Sequence, residues 1–140
     1  MASHPRQYGV VMQKKAVRVI AHLPYNSHTN GLFQRYNILK FHDIYNLHLG
    51  KYMFQQIKQL LPEPILNRII LCRDVHMYNT RQTNRLYKQT RRTVLVESSF
   101  IIRGPDYWNG LPNHIKNTAS LKSFNKRHKL HLINGYNFDS

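Results

Sequence analysis

Acidic residues, cysteine and long apolar runs are all scarce in this chain of 140 residues. The single cysteine, Cys72, cannot form an intramolecular disulfide, and no Asn-x-Ser/Thr acceptor occurs, so nothing favours a secreted protein. No apolar run approaches the roughly 18 to 20 residues of a membrane-spanning helix, and the N-terminus has no signal-peptide core. We therefore expect an intracellular protein, cytoplasmic or nuclear, without a membrane partner.

The acidic residues and the thiol do not form a catalytic pattern. Glu97 and Asp106, the closest two of the six acids, are nine positions apart, whereas two-metal chemistry needs carboxylates that lie close together. Cys72 ends an apolar run, so we expect it to be buried and structural rather than paired with His76 in catalysis. The nine histidines lack the spacing of convergent metal ligands. The sequence predicts no enzyme activity on this chain alone, no cofactor and no metal site.

Basic residues, by contrast, are abundant. Twenty-one Lys and Arg against six Asp and Glu give a formal net charge of +15 and a pI near 10.3. These like charges repel one another, and a polyanionic partner would relieve the repulsion. The hydrophobic share of 41% is that of a globular chain, and the length is that of a single domain. We expect a folded basic protein that binds RNA or DNA.

Apolar spacing predicts several amphipathic helices. The first covers Tyr8 to Leu23, a short second helix follows a cap at Thr29 or Asn30, a long helix begins near Asp43, and a further short helix covers Ile65 to Cys72. The positions expected to face the core are Val10, Val17, Ile20 and Leu23 in the first helix and Ile44, Leu47, Phe54, Ile57 and Leu61 in the long one.

The second half of the chain has a different character. Residues 73–97 form a basic polar segment with little periodicity, which we interpret as an exposed arm. Alternation at Val94, Val96, Phe100 and Ile102 allows one or two short strands. Gly104-Pro105 is expected to open a single helical turn that directs Trp108 inward, and Ser120 is expected to cap the last helix. The predicted fold is mainly α: a small helical domain with amphipathic helices and a basic irregular arm.

The candidate nucleic-acid contacts are basic side chains interleaved with planar or hydrogen-bonding groups. Arginine can grip a phosphate with two hydrogen bonds, amides add neutral phosphate contacts, and tyrosine can stack on an unpaired base. The alternative for the arm is a solvated charged loop without a ligand. The predicted residues are Tyr78, Asn79, Arg81, Arg85, Lys88, Arg91 and Arg92 in the arm, Lys14, Lys15 and Arg18 in the first helix, and Lys126, Arg127 and Lys129 in the last.

Two spaced motifs carry a resemblance to a known family. Residues 99–116 follow the pattern S-F-x-x-x-G-P-x-x-W-N-x-L-P-x-x-I-K, and residues 120–129 follow S-L-x-x-F-x-K-x-x-K. With HMYNTRQTNR at His76–Arg85 and the segment Met12–Pro62, they resemble, in the same order, the region after the polymerase domain in non-LTR (LINE-type, jockey-like) retrotransposon reverse transcriptases. One departure is His128, where the family usually carries an apolar residue, often leucine.

The resemblance implies a single domain or fragment, in which residues 12–72 correspond to the region after the polymerase thumb. Residues 73–97 would be the basic arm, and residues 98–133 a Gly-Pro/Trp corner with the C-terminal helix. It implies a non-catalytic tail that binds retroelement RNA or the target-site hybrid. It also implies a second partner, the polymerase portion of the parent protein. Catalytic carboxylates of an RNA-directed DNA polymerase are absent from this sequence.

Two other interpretations stay open. The chain could be a decayed retroelement remnant whose helices once packed on a polymerase thumb, which predicts exposed apolar surface. It could also be a basic amphipathic module that binds anionic membranes or an acidic partner. We rank the membrane interpretation last, because the apolar stripes have the aromatic and branched content of a core.

Overall fold

The fold is built from α-helices. The computed structural model describes residues 5–66, 69–75, 81, 84–88 and 99–136. Within these ranges the chain forms α1 (Pro5–Ile20), α2 (Asn30–Arg35), α3 (Phe41–Ile57), α4 (Cys72–Val75), α5 (Phe100–Gly110), α6 (Asn113–Lys116) and α7 (Leu121–Asn134). The β-type pairing among the described residues is one isolated antiparallel bridge between Leu71 and Leu86. The prediction of a mainly α fold is confirmed.

The chain divides into two compact units. We call Met1–Leu47 with Lys126–Ser140 the terminal unit, and His48–Asn125 the central unit. Each unit has its own cluster of buried apolar side chains.

The core of the terminal unit joins side chains from both ends of the sequence. Val17 of α1, Phe33 of α2, Leu39, Ile133 of α7 and Tyr136 are buried together. The Phe33 and Tyr136 rings meet edge to face, with centroids 6.4 Å apart, an arrangement that aromatic quadrupoles favour. Ile133 and Tyr136 of the C-terminal region are therefore packed into the same core as the first helices.

A buried hydrogen-bond network accompanies this core. The Tyr136 hydroxyl donates to Asp43 Oδ2 over 2.7 Å and accepts from the Lys40 backbone N–H over 2.9 Å. Asn46 donates to the other carboxylate oxygen over 3.1 Å. Burial, together with the neighbouring carboxylate, raises the pKa of Tyr136 well above its ordinary value, so the phenol stays protonated. Asp43 was expected only to favour the start of α3, which it does, but it also serves as a buried acceptor.

His128 lies fully inside the terminal unit, with none of its surface exposed. Burial lowers its pKa to about 4; the nearby His131 acts in the same direction, and Asp43 opposes them. The imidazole is therefore neutral at physiological pH. A neutral histidine takes the position at which the resembling family usually has an apolar side chain.

Helix α1 differs from its prediction in which face is buried. Val17 is buried as expected, but Ile20 and Leu23 are exposed. The exposed apolar residues recur at spacings of three and four along one side of the helix, opposite Val17. They are Tyr8, Val11, Met12, Ala16, Val19 and Ile20, a set that we call the α1 apolar face. The interpretation of every apolar stripe as core is wrong for this helix.

The core of the central unit surrounds Trp108. The ring of Phe124 stacks on Phe54 with centroids 4.7 Å apart and on Trp108 with centroids 5.8 Å apart. Met53, Leu86, Leu111 and Ile115 complete the buried cluster. Trp108 is only 8% exposed, so its predicted inward position is confirmed.

Helix α5 corrects two predictions for residues 100–110. Phe100 and Ile102 lie in this helix and not in a strand, and Gly104-Pro105 lies inside it rather than opening a single turn. Pro105 cannot donate a hydrogen bond to the preceding turn, but its buried ring fills the core. A Cβ on Gly104 would overlap Met53 Sδ, so this glycine permits close packing between α5 and α3. Val94 and Val96, the other part of the strand prediction, lie outside the described residues.

Smaller differences concern α3, the segment after it and the helix caps. In α3, Phe54 is buried as predicted, whereas Ile44 and Ile57 are each 41% exposed. The helix predicted over Ile65 to Cys72 is wrong in its described residues: Ile65 and Leu66 lie in a turn, Ile69 and Ile70 are irregular, Leu71 forms the bridge to Leu86, and α4 begins only at Cys72. Cys72 is half-buried rather than buried. Ser120 caps α7 as predicted, accepting a hydrogen bond from the Ser123 N–H over 3.2 Å.

Candidate nucleic-acid interface

Residues 85–87 of the predicted arm are anchored in the central unit by hydrogen bonds. Leu86 is 6% exposed and belongs to the core, and the Asn109 side chain bonds both of its backbone groups, over 3.1 Å to the N–H and 2.9 Å to the carbonyl. On the other side, Cys72 N–H donates to the Arg85 carbonyl over 2.9 Å, and Tyr87 N–H to the Ile70 carbonyl over 2.7 Å. Within residues 84–88, Asn84, Arg85 and Lys88 are exposed and the backbone is irregular, as the arm prediction states, whereas Leu86 is buried.

This anchoring places Arg85 at the edge of a pocket in the central unit. The pocket has a volume of about 670 Å³, within the range of small-ligand sites. Arg81, Arg85 and Lys116 supply its positive charge. None of the described residues that line it carries a carboxylate. The pocket is therefore electropositive, and its chemistry favours an anion.

Arg85 and Lys116 lie close enough to affect each other. Partial burial lowers the pKa of Lys116, and the nearby Arg85 guanidinium lowers it further. The Lys116 ammonium donates a hydrogen bond to the backbone carbonyl of Asn109 over 3.3 Å. Asn109 therefore holds Leu86 through its side chain and orients Lys116 through its backbone. Among the described residues, none of the ion pairs involves Arg81, Arg85 or Lys116.

Amide and apolar groups form the remaining walls of the pocket. Asn84, Asn113 and Asn117 are exposed amides that can both donate and accept hydrogen bonds. Ile69 and Trp108 contribute apolar surface. The pocket thus combines positive charge, amides and an apolar wall.

Lys88 differs from the other predicted arm residues. Its ammonium pairs with the Asp106 carboxylate of α5, and both side chains are about half exposed. This pair neutralises one predicted contact, so Lys88 carries less uncompensated charge than Arg81 or Arg85. Tyr78, Asn79, Arg91 and Arg92 lie outside the described residues.

The predicted cations of α1 belong to the terminal unit. Lys14 and Lys15 are exposed. Arg18 is half-buried, donates from Nε to the Ser27 carbonyl over 2.9 Å, and lies over the Tyr25 ring with its Cζ 5.6 Å from the centroid. Arg18 therefore also holds the loop that follows α1.

The predicted cations of α7 also belong to the terminal unit. Lys126 and Arg127 are exposed, and Lys129 is half-buried. Lys126 and Lys129 are three residues apart, so they share one side of the helix. These two residues form a short basic strip on α7.

Sequence reasoning identified Arg81 and Arg85 but missed Lys116 and the asparagines. Lys116 is far from the basic arm along the chain, and only folding brings it beside Arg85. The available signal was its position at the end of the G-P-x-x-W-N-x-L-P-x-x-I-K motif, in which Asn109 also lies.

Neither a metal centre nor a membrane span is found among the residues that the structure describes. There, no group of three or more His, Cys, Asp or Glu side chains could hold a metal ion. No helix in the same ranges is both long and apolar enough to cross a bilayer.

Comparisons of the chain with protein-family models, with curated proteins and with solved structures found no significant match. The resemblance to retrotransposon reverse transcriptases therefore stays a prediction that rests on the motifs.

Proposed function

We propose that the protein is a non-catalytic module that binds RNA or DNA, as the tail of a retrotransposon reverse transcriptase would. The observation that carries the proposal is the uncompensated positive charge. Of only six acids, Asp43 is buried, and Asp74 and Asp106 each pair with a neighbouring cation. Few carboxylates are left to offset 21 basic residues, so the surface attracts a polyanion.

The distribution of the exposed cations supports the same function. In the central unit they surround a pocket without a described carboxylate, and in the terminal unit they lie on α1 and α7. Phosphate contacts of this kind give affinity with little sequence preference. We expect the protein to bind both single-stranded and structured nucleic acid, with a preference for unpaired regions that the arm and the pocket provide.

Salt dependence tests the proposal directly. Fluorescence anisotropy of a labelled RNA, measured across a series of KCl concentrations, should give a log-log slope on the order of −4 to −8, set by the number of phosphates neutralised. Any basic protein that binds a polyanion such as heparin gives a similar slope. The control is therefore a second titration with a polyanion of equal charge that is not a nucleic acid. Binding that is absent, or that does not weaken between low and moderate salt, would contradict the proposal.

The α1 apolar face supports a second candidate, the binding of an anionic lipid surface. An amphipathic helix binds such a surface by burying apolar side chains while flanking Lys and Arg meet the headgroups. Here Val19 is 74% exposed and Tyr8 64%, Lys15 lies among them, and no acid precedes Asp43 in the sequence. Co-sedimentation with phosphatidylserine vesicles, set against phosphatidylcholine vesicles, measures this binding. If RNA displaces the protein from the vesicles completely, nucleic-acid binding is the stronger activity.

The same exposed face agrees with the remnant hypothesis, in which α1 once packed against a polymerase domain. That hypothesis predicts poor solubility and loose tertiary packing for the chain alone. Thermal unfolding followed by near-ultraviolet circular dichroism separates the two cases. A cooperative transition supports an independent folded module, and a gradual loss of signal supports the remnant.

A further inference from the structure

The pocket of the central unit has chemistry that a general phosphate-binding surface does not need. A solvated basic patch binds the phosphate backbone without a cavity, an apolar wall or clustered amides. The pocket provides all three beside its cations. This combination is typical of a site that encloses one ligand, and the question is which ligand it fits.

The charges at the pocket indicate a phosphate. Arg85 and Lys116 both line the pocket, where their like charges repel, and none of the described lining residues carries a carboxylate. An anion placed between the two would be attracted by both and would remove the repulsion. The guanidinium can bond two phosphate oxygens at once, while the ammonium acts as a point charge.

The remaining walls indicate a base. Asn84, Asn113 and Asn117 offer both donors and acceptors, which the edge of an unpaired base requires, and Ile69 and Trp108 offer apolar surface for its face. A volume of about 670 Å³ is large enough for one nucleotide.

We propose that this pocket, defined by Arg85, Lys116, Asn84, Asn113, Asn117 and Trp108, binds one unpaired nucleotide of a single-stranded nucleic acid. The phosphate lies between Arg85 and Lys116, and the base lies against the asparagines and the apolar wall. The proposal rests on the proposed nucleic-acid binding and adds to it a defined site and a preference for single strands.

Trp108 makes the site directly observable. It is the only tryptophan of the chain and it lines the pocket, so its emission reports occupancy without a label. A short single-stranded oligonucleotide should quench this emission in a saturable way. The same sequence in duplex form should quench it several-fold less at equal concentration, because its bases are not available.

Charge variants locate the binding. Arg85→Gln and Lys116→Met, the second of which keeps the aliphatic stem, should each weaken single-strand binding about tenfold, the loss of one charge-assisted contact. Arg85→Lys should recover part of the affinity. Lys51→Gln is the matched control: it removes one charge from α3 of the same unit, outside the pocket, and should change affinity less than about twofold. Circular dichroism spectra verify that each variant is folded.

The outcomes separate this proposal from the general function. If the oligonucleotide binds by anisotropy but Trp108 emission stays constant and Arg85→Gln behaves like Lys51→Gln, the pocket proposal is overturned and nucleic-acid binding stands. If adenosine monophosphate quenches the emission and the oligonucleotide does not bind, both the single-strand assignment and the proposed function fail, and the pocket is a site for a free nucleotide. If neither ligand binds, both proposals fail.

Discussion

The buried imidazole of His128 should make the stability of the protein fall steeply in mild acid. An unfolded chain takes up a proton at this side chain near its ordinary pKa of 6.5, whereas in the folded protein burial lowers the pKa to about 4. Between these two values the unfolded state binds more protons than the folded state. Stability therefore decreases as the pH falls through this window and is fully retained above it.

The size of the effect follows from the two pKa values. At about 1.4 kcal/mol for each pKa unit, the difference between 6.5 and about 4 corresponds to about 3 kcal/mol lost on acidification. Folded domains typically have only about 5 to 15 kcal/mol in total, so this single side chain can remove a large fraction of the stability.

The variant His128→Leu isolates this contribution. Urea unfolding followed by far-ultraviolet circular dichroism, at about pH 7 and about pH 4, gives the acid-dependent loss for each protein. Other groups also titrate, so the informative quantity is the difference between the two losses, about 3 kcal/mol smaller in His128→Leu. His131→Gln, which removes an exposed histidine from the same helix, should keep most of the wild-type acid sensitivity. Equal losses in the wild type and His128→Leu would refute the reasoning.

Five further substitutions test other parts of the structure. Tyr136→Phe should cost about 1 to 3 kcal/mol by urea unfolding, because it removes the hydroxyl that joins a buried carboxylate and a backbone N–H. Gly104→Ala should destabilise by about 1 to 3 kcal/mol, since its new methyl group overlaps a buried methionine side chain; a neutral result would contradict this packing. Val17→Ala should lower stability by about 2 kcal/mol and Val19→Ala by less than about 0.5, because only the first is buried; similar losses would reverse our assignment of the buried face. Asp106→Asn should strengthen RNA binding and steepen the salt slope by about 0.7 to 0.9, since it frees one paired lysine; an unchanged slope would show that this lysine does not contact RNA.

The sequence predicts the long helices well because their signals are local. Ser120 caps α7 through its own side chain, and Asp43 lies in the first turn of α3, so each helix start is encoded within a few residues. The inward position of Trp108 also follows from its neighbours. These features need no knowledge of distant parts of the chain.

Gly104 and Pro105 show where local signals fail. Both residues disfavour helix interiors, and a reading of the sequence places a helix start there. In the structure the glycine admits Met53 and the proline ring is buried, so packing against the core outweighs the lost hydrogen bond. The same limit applies to the candidate site, because the approach of Lys116 to Arg85 depends on how α5 and the segment around Leu86 are joined by Asn109.

Helix α1 shows a further limit, which bears on function. Periodicity establishes that a helix has an apolar side, but the direction of that side depends on what the rest of the protein can cover. Here α1 buries Val17 and admits the ring of Phe41 beside Gly9, while the wider apolar face points to solvent. A helix that turns its larger apolar face outward has either lost a partner or kept a surface for one. Since Lys15 lies within that face and no acid precedes Asp43, a partner that covers α1 must be able to accept positive charge.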